Sequence, residues 1–316
     1  TATGEAAGDY FGSSVASAGD VNGDGYDDVI VGAYYNDSGG NDAGKSYVYL
    51  GSASGLSTTA SWTATGEAAG DYFGSSVASA RDVNGDGYGD VIVSAPNNND
   101  GGNDAGKSYV YLGSASGLST TVSWTATGAM VVDYFGSSVA SAGDVNGDGY
   151  DDVIVGAHYN DDGGGSAGKA YVYLGSASGL STTASWTATG EAAYDYFGKS
   201  VASTGDVNGD GYDDVIVGAH YNDDGGNNAG KAYGYLGSAS GLSTTASWTA
   251  TGEAAGDYLG SSVALAGDVN GDGYDDVIVS AHGNNDGSND AGKAYVYLGS
   301  ASGLRTTASW TATGEV

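Results

Sequence analysis

The sequence predicts an all-β chain built from five similar modules, and two observations lead to this prediction. The first is a repeat of 62 residues, marked by tryptophans at Trp62, Trp124, Trp186, Trp248 and Trp310. The second is that each copy has four short strand-like segments separated by Gly, Asn, Asp and Ser clusters, with no sustained helical period. Four strands in a unit of this length describe a propeller blade. We therefore predict a β-propeller of five four-stranded antiparallel blades.

The repeat divides the chain into five copies and a short remainder. The copies cover about 1–62, 63–124, 125–186, 187–248 and 249–310, and 311–316 begin a further copy that repeats the chain's first residues. A single blade cannot bury both of its faces, so neighbouring blades must supply the core. We expect one propeller over residues 1–316, either closed as a ring of five blades or belonging to a longer array.

Four strands are predicted in order along the first copy. Small Ser and Ala side chains over Gly12 to Ala18 suit an innermost strand, where blades crowd together. The apolar run within Asp28 to Ala33 predicts a strand that is covered on both faces. Tyr alternates with Val and Leu over Ser46 to Leu50, so the rings share one face. Ala60 to Thr65 supplies the fourth strand.

An acidic loop, DVNGDGYDD over residues 20–28, separates the first two predicted strands. Its positions 1, 3 and 5 carry side-chain oxygens, Gly at position 6 permits a sharp turn, and position 7 offers a backbone carbonyl. Asp28 at position 9 completes a set of oxygens of the kind that Ca²⁺ prefers. An EF-hand is excluded because position 12 is Val31 instead of Glu and because the flanking segments are strands.

The whole repeat resembles the FG-GAP repeat of integrin α-subunit propellers and of bacterial surface proteins. The dipeptide FG stands at residues 11–12, GA stands at 32–33, and YVYLG follows at 47–51. Two departures are mild: Leu259 replaces the Phe in the last copy, and the Pro of the GAP motif survives only as Pro96. Integrin ligand specificity does not carry over, because it depends on a larger propeller and a separate domain.

The resemblance implies a calcium-binding β-hairpin loop in each blade, and therefore five Ca²⁺ ions. The implied ligands are the side chains at positions 1, 3, 5 and 9 and the carbonyl at position 7. They are Asp20, Asn22, Asp24, Tyr26 and Asp28; Asp82, Asn84, Asp86, Tyr88 and Asp90; Asp144, Asn146, Asp148, Tyr150 and Asp152; Asp206, Asn208, Asp210, Tyr212 and Asp214; and Asp268, Asn270, Asp272, Tyr274 and Asp276.

Composition excludes several classes of protein. The chain has 39 acidic and 8 basic side chains and a formal charge of −31, which disfavours nucleic acids and anionic membranes. It has no Cys, so disulfides and thiolate sites are excluded. No apolar run reaches the roughly 18 residues of a membrane span, so we expect no membrane insertion, with any targeting segment outside these residues. Nineteen of the acids lie in the five loops, and a salt-adapted surface is an alternative account of the others.

Repetition also bears on function. A catalytic site is usually one asymmetric cluster, whereas here the candidate polar residues recur in every copy, so we expect no enzyme and no catalytic residues. The first hypothesis is a calcium-binding extracellular or cell-surface module for adhesion or structure, with a protein or glycan ligand on a cell surface or matrix. Loops without a bidentate Glu should bind Ca²⁺ at the weaker, extracellular end of its range. A multivalent carbohydrate-binding lectin and a self-associating subunit of an extracellular filament or array are the alternatives.

Overall fold

The computed structural model describes residues 1–314 and is all-β. The described chain contains twenty strands, four to each repeat, and each group of four is called a blade. Blade 1 contains β1 (Ser14–Gly19), β2 (Asp28–Ala33), β3 (Lys45–Tyr49) and β4 (Trp62–Thr65). Blade 2 contains β5 (Val77–Arg81), β6 (Asp90–Ala95), β7 (Lys107–Tyr111) and β8 (Trp124–Thr127). Blade 3 contains β9 (Ser138–Gly143), β10 (Asp152–Ala157), β11 (Lys169–Tyr173) and β12 (Trp186–Thr189).

The remaining two blades follow the same order. Blade 4 contains β13 (Ser200–Gly205), β14 (Asp214–Ala219), β15 (Lys231–Tyr235) and β16 (Trp248–Thr251). Blade 5 contains β17 (Leu259–Gly267), β18 (Asp276–Ala281), β19 (Lys293–Tyr297) and β20 (Trp310–Thr313). Of the predicted partial copy at 311–316, Glu315 and Val316 lie outside the described residues.

Each blade is one four-stranded sheet in which consecutive strands are neighbours. In blade 1, β1 pairs with β2, β2 with β3 and β3 with β4, all antiparallel. The predicted fold class, an all-β chain of five four-stranded antiparallel blades, is therefore confirmed. Strand β2 has the predicted limits, whereas β4 begins at Trp62 instead of Ala60. The pairing nevertheless reaches one residue further, because Ser61 N–H donates to the Val48 carbonyl at 2.9 Å.

The second strand of each blade carries much of the core. Ile30 and its counterparts Ile92, Ile154 and Ile216 are fully buried, as the apolar run in each second strand predicts. Covering both faces removes these side chains from water, and burying an Ile contributes about 1.5–3 kcal/mol. This strand starts at Asp28, the last residue of the acidic loop, and therefore fixes one end of the loop.

A bulge at the end of the first strand fixes the other end of the loop. The register of β1 on β2 shifts between Ser17 and Gly19, and Gly19 has a φ of +71°. Glycine adopts this left-handed conformation without the steric cost that a Cβ brings. In blade 2 the equivalent residue is Arg81, which holds a φ of +60°. The bulge turns the chain out of the sheet and into the acidic loop.

The described chain forms two compact units. The first unit comprises 1–141, 150–155 and 173–183, and it contains all of β1 to β8. The second comprises 142–149, 156–172 and the described chain from residue 184 onward, and it contains all of β12 to β20. In each unit the first strands of neighbouring blades contact each other, β1 with β5 and β13 with β17.

The FG dipeptide joins each repeat to the one before it. Phe73 is fully buried, and its N–H donates to the carbonyl of Ala43 at 2.9 Å, beside Gly44. A Cβ on Gly44 would collide with the backbone of Phe73, which explains why glycine is needed there. Leu259 makes the same bond to Ala229 and is also fully buried. The departure from Phe in the last copy is therefore absorbed by the same contact.

Candidate metal centre

The acidic loop of blade 1 spans the gap between β1 and β2. Gly23 and Gly25 have φ values of +72° and +87°, and these left-handed residues fold the loop back on itself. The Asp20 carboxylate lies at its centre. Its Oδ1 accepts N–H bonds from Gly23 (2.7 Å) and Asp24 (3.1 Å), and its Oδ2 accepts one from Gly25 (2.7 Å). The carboxylate at position 1 is thus held in place by the loop backbone.

The loop's Asn and second Asp point toward each other. Asn22 Oδ1 accepts the N–H of Asp24 at 3.0 Å, and Asn22 Nδ2 donates to Asp24 Oδ2 at 3.0 Å. Asp24 Oδ1 accepts the N–H of Tyr26 at 3.0 Å. The same contacts recur in the loops of blades 2, 4 and 5. Positions 1, 3 and 5 therefore present oxygens from a compact, exposed turn.

Asp28 at position 9 is buried, and backbone N–H groups hold both of its oxygens. Val21 N–H donates to Oδ2 at 2.9 Å, and Gly51 N–H donates to Oδ1 at 2.7 Å. Asp90, Asp214 and Asp276 make the same pair of contacts. This carboxylate ties the loop to the end of the third strand, a role that the sequence alone did not reveal.

Burial raises the pKa of Asp28, and the nearby negative charges of Asp20 and Asp24 raise it further against the opposing backbone hydrogen bonds. In blades 2 and 4 the same causes raise the pKa of Asp90 and of Asp214 to about 7. The carboxylates at positions 1 and 5 therefore add a smaller electrostatic contribution to an increase in pKa that burial causes. A divalent cation among them would offset their mutual repulsion.

The predicted ligands fit Ca²⁺ in chemistry, since Asp and Asn oxygens are the donors it prefers. Within residues 1–314, however, no group of three or more His, Cys, Asp or Glu side chains is arranged to hold a metal ion. Two features account for this. Position 3 is the amide Asn22 instead of an acid, and both oxygens of Asp28 accept hydrogen bonds from backbone N–H groups. The calcium loops therefore remain a prediction.

The residue at position 8 links one loop to the preceding one. Asp213 Oδ2 accepts the N–H of Asp144, the position 1 residue of the loop before it, at 3.0 Å. Asp151 and Asp275 make the equivalent contacts at 3.1 Å. Sequence reasoning missed this role, and the signal that could have found it is that an acid recurs at position 8 in all loops except that of blade 2, where Gly89 stands.

The tyrosine at position 7 also reaches the preceding loop. A Cβ on Gly23 would lie 2.6 Å from Cε1 of Tyr88, and Gly85 is covered by Tyr150 in the same way. The ring thus rests on the glycine at position 4, while the carbonyl of the same tyrosine is the predicted calcium ligand. Successive loops are joined through both their side chains and their backbone.

A second cluster of chemistry-bearing residues is aromatic. In blades 3 to 5, His158, His220 and His282 alternate with Tyr196 and Tyr258, with centroid separations of 5.8, 5.9, 6.4 and 5.0 Å along the row. Burial, with a smaller effect from the charge of Lys199, lowers the pKa of His158 to about 3 and that of His220 to about 4. Tyrosine rings separate the imidazoles, so the row does not form a metal-chelating group.

A family model described as FG-GAP repeat matches five segments, which together make up more than half of the chain: 11–49, 73–111, 135–173, 197–235 and 259–297. Each segment runs from the FG position to the end of the third strand and includes one acidic loop.

The chain is also similar to integrin α subunits. It is 33% identical to integrin alpha-5 of Xenopus laevis over 184 residues, which is 55% of this chain and 17% of the relative. It is 36% identical to integrin alpha-IIb of Mus musculus over 163 residues, 49% of this chain and 16% of the relative. The similarity thus covers only a small part of these relatives. No helix in the described residues has the length and apolar character of a membrane span.

Proposed function

The chain belongs to the FG-GAP repeat family, and on that premise we propose that it is a calcium-binding, non-enzymatic adhesion module that works outside the cytosol. The observation that carries the proposal is the acidic loop, whose sequence recurs in every blade and which, in blade 1, places the buried carboxylate of Asp28 near the half-buried Asp20 and the exposed Asp24. Such a cluster is costly without a counter-charge. A cation supplies that charge.

Calcium is the ion that this donor set suits best. Asp20, Asn22 and Asp24 offer side-chain oxygens from the turn, Tyr26 offers its carbonyl, and Asp28 supplies the buried charge. Bound there, Ca²⁺ supplies positive charge that holds the turn against the sheet. We propose one ion in each of the five loops, with the equivalent residues as ligands, and no catalytic role for any of them.

The location follows from the expected affinity. Loops that lack the bidentate Glu of high-affinity sites bind at the weaker end of the calcium range, which extracellular calcium saturates and cytosolic calcium does not. The ligand we propose is a protein or a glycan on a cell surface or in a matrix. Similarity to integrin α subunits supports the adhesive role.

A carbohydrate ligand is the second candidate, because tyrosine rings gather at one place in unit 1. Tyr10, Tyr34, Tyr35 and Tyr72 form a cluster with centroid separations of 4.3 to 5.9 Å, and Tyr10 is largely exposed. Exposed aromatic faces stack on sugar rings. The counterpart of Tyr34 is Pro96 in blade 2 and His158 in blade 3, so the site does not repeat as a multivalent lectin would require.

Calorimetry with Ca²⁺ on the full chain, followed by binding to arrays of matrix proteins and glycans with calcium or chelator, tests the proposal. We expect about five ions per chain, dissociation constants far above the nanomolar range, and ligand capture that chelator abolishes. Two or fewer ions would overturn the calcium assignment, and nanomolar affinity would overturn the extracellular argument. Capture on glycans alone would favour the second candidate.

A further inference from the structure

Five of the six lysines in the chain stand at the start of a third strand, where carboxylates hold their ammonium groups. Each Nζ lies 2.6–2.9 Å from its acidic partners and 5.0–5.2 Å from the centre of a tyrosine ring. The pairs are Lys45 with Glu5, Lys107 with Glu67 and Asp100, Lys169 with Asp162, Lys231 with Glu191 and Asp224, and Lys293 with Glu253 and Asp286. These five are called the paired lysines.

Lys199 is different. It directly precedes β13, at a position where the other four copies have serine: Ser13, Ser75, Ser137 and Ser261. The residue is exposed to solvent, and within residues 1–314 no carboxylate pairs with its ammonium group. A chain with a formal charge of −31 thus carries a lysine that none of its acids neutralises.

The side chains beside Lys199 are uncharged rings. Its N–H donates to the carbonyl of Tyr196 at 3.1 Å. The Tyr196 ring lies between the imidazoles of His158 and His220, with centroid separations of 5.8 and 5.9 Å. Both imidazoles are neutral at pH 7, and the charge of Lys199 contributes to their low pKa values of about 3 and about 4, after the larger effect of burial. The ammonium group therefore lies close to both rings.

The two kinds of lysine differ in how readily they lose a proton. Burial lowers the pKa of Lys199, because the surrounding protein desolvates its charge although solvent reaches the residue. Burial also opposes the charge of Lys107 and of Lys231, but hydrogen bonds to their carboxylate partners outweigh it and raise the pKa of both. At neutral pH, Lys199 thus has a larger fraction of neutral amine than these paired lysines.

We propose that Lys199 is the residue at which this chain forms an imine with aldehydes. The neutral amine nitrogen attacks the carbonyl carbon and forms a C–N bond, and one amine proton moves to the carbonyl oxygen. The oxygen then leaves as water with the second amine proton, so that a C=N bond remains. Atoms and charge balance without an oxidant or a reductant. Water reverses the reaction, so the bond lasts only while the aldehyde is present.

The surroundings of Lys199 favour an aldehyde as the reaction partner. An imine can lose the positive charge that the ammonium carries, so the desolvation that penalises the charge favours the product. Desolvated lysines are the ones that react with carbonyl groups for this reason. An aldehyde reacts without prior activation, whereas acylation of the same amine needs an activated donor. The assignment rests neither on the calcium loops nor on the adhesive role.

Labelling of the full chain with a small amount of propanal tests the proposal. Sodium cyanoborohydride reduces each imine to a stable secondary amine, and peptide mapping by mass spectrometry then measures the label on each lysine. We expect Lys199 to react more than about tenfold faster than Lys293, because each unit of difference in pKa changes the neutral fraction tenfold. Hydrogen bonds to Asp286 and Glu253 raise the pKa of Lys293, whereas that of Lys199 is lowered.

Two variants and one denatured sample are the controls. Lys199→Ser installs the residue of the other copies and should leave only the slow labelling of the paired lysines. Lys169→Ser makes the same change at a paired lysine and should leave the rate at Lys199 unchanged. In guanidinium chloride the ion pairs are lost, so all six lysines should react at similar rates.

Four results would overturn the assignment. The first is that Lys199 in the folded chain reacts no faster than the paired lysines. The second is that another lysine takes up label at the fast rate in Lys199→Ser. The third is that the preference for Lys199 persists in guanidinium chloride, which would place its cause in the local sequence instead of the fold. The fourth is that Lys169→Ser removes the fast labelling.

Discussion

Residues at equivalent positions of the blades have different surroundings, and His158 is one example. It stands where blade 1 has Tyr34, and it is buried beside Tyr159 and Tyr196. Burial keeps its imidazole neutral, as it does for His220. The row of rings thus contains a histidine whose protonation would destabilise the fold.

Acid should therefore destabilise the protein through these histidines. The folded-state pKa values of about 3 for His158 and about 4 for His220 lie below the ordinary value of 6.5, so between these limits the unfolded chain binds more protons. Their contribution is complete above pH 6.5 and is lost as the pH falls, by about 1.4 kcal/mol per pH unit for each group. Urea unfolding at several pH values should show that the free energy of unfolding changes less steeply with pH in the double variant His158→Tyr, His220→Tyr than in wild type. His282→Tyr, at an exposed ring, is the control.

Alanine substitutions at two position 4 glycines can distinguish the cost of backbone strain from the cost of a side-chain clash. Gly23 and Gly271 have nearly the same φ, +72° and +74°, but only Gly23 lies under a tyrosine ring. Alanine at Gly271 should cost about 1–2 kcal/mol for the left-handed backbone alone. Alanine at Gly23 should cost a further 1–3 kcal/mol, roughly, because it displaces Tyr88. Equal losses in dilute, calcium-free urea titrations would show that the ring moves aside freely.

Among the structural elements, the acidic loop is held by more contacts than its ligand pattern requires. The sequence predicts the loop and its oxygens because their spacing is local. It does not predict that Asp28 faces two backbone N–H groups, since one of these belongs to Gly51 after the third strand. Nor does it predict the role of Asp213, since the partner Asp144 lies in a different repeat. The strands follow from patterns within one blade, whereas these contacts need neighbouring blades and strands to be in place.

The linkage between loops should be measurable as stability. Asp213→Ala removes the acceptor for Asp144 N–H and should lower the free energy of unfolding by about 1–3 kcal/mol, the cost of leaving a donor without its partner. Asp27→Ala removes the same side chain from the exposed position in blade 1 and should change little. Comparable losses in the two variants, measured by urea titration of dilute protein, would contradict the linkage.

Calcium should act on the same element. At calcium concentrations about 10 to 100 times the dissociation constant, each occupied loop gains about 1.4 to 2.7 kcal/mol. Asp24→Ala should therefore lower the melting temperature in calcium and change it much less in chelator, because the loop then holds no ion in either protein. Asp27→Ala, in the same loop but outside the proposed ligand set, is the control. Equal shifts with and without calcium would mean that Asp24 acts through the loop's own hydrogen bonds.

For the molecule as a whole, charge is the dominant property. A formal charge of −31 on a chain of 316 residues opposes compaction, and only screening or bound cations relieve it. In chelator, the melting temperature should therefore rise as NaCl is raised from about 0.01 M to 1 M, where the screening length falls from about 30 Å to 3 Å. Millimolar CaCl₂ should exceed the effect of NaCl at equal ionic strength. If calorimetry shows the same melting temperature in the two salts at equal ionic strength, specific binding of Ca²⁺ is not the cause of the stabilisation.

The tryptophan at the start of each fourth strand packs on the following blade, and this direction bears on synthesis. Trp62 Nε1, for example, donates to the Ser119 carbonyl at 2.9 Å, and its ring lies 4.8 Å from that of Tyr111. A ribosome delivers blades from the N-terminus onward, and each indole is covered only by the blade that comes next. The nascent chain thus carries one uncovered indole at its growing end until about 62 further residues have emerged. That indole stays open to solvent until then, and each newly made blade covers the indole of the blade before it. Translation and folding therefore proceed with the same polarity.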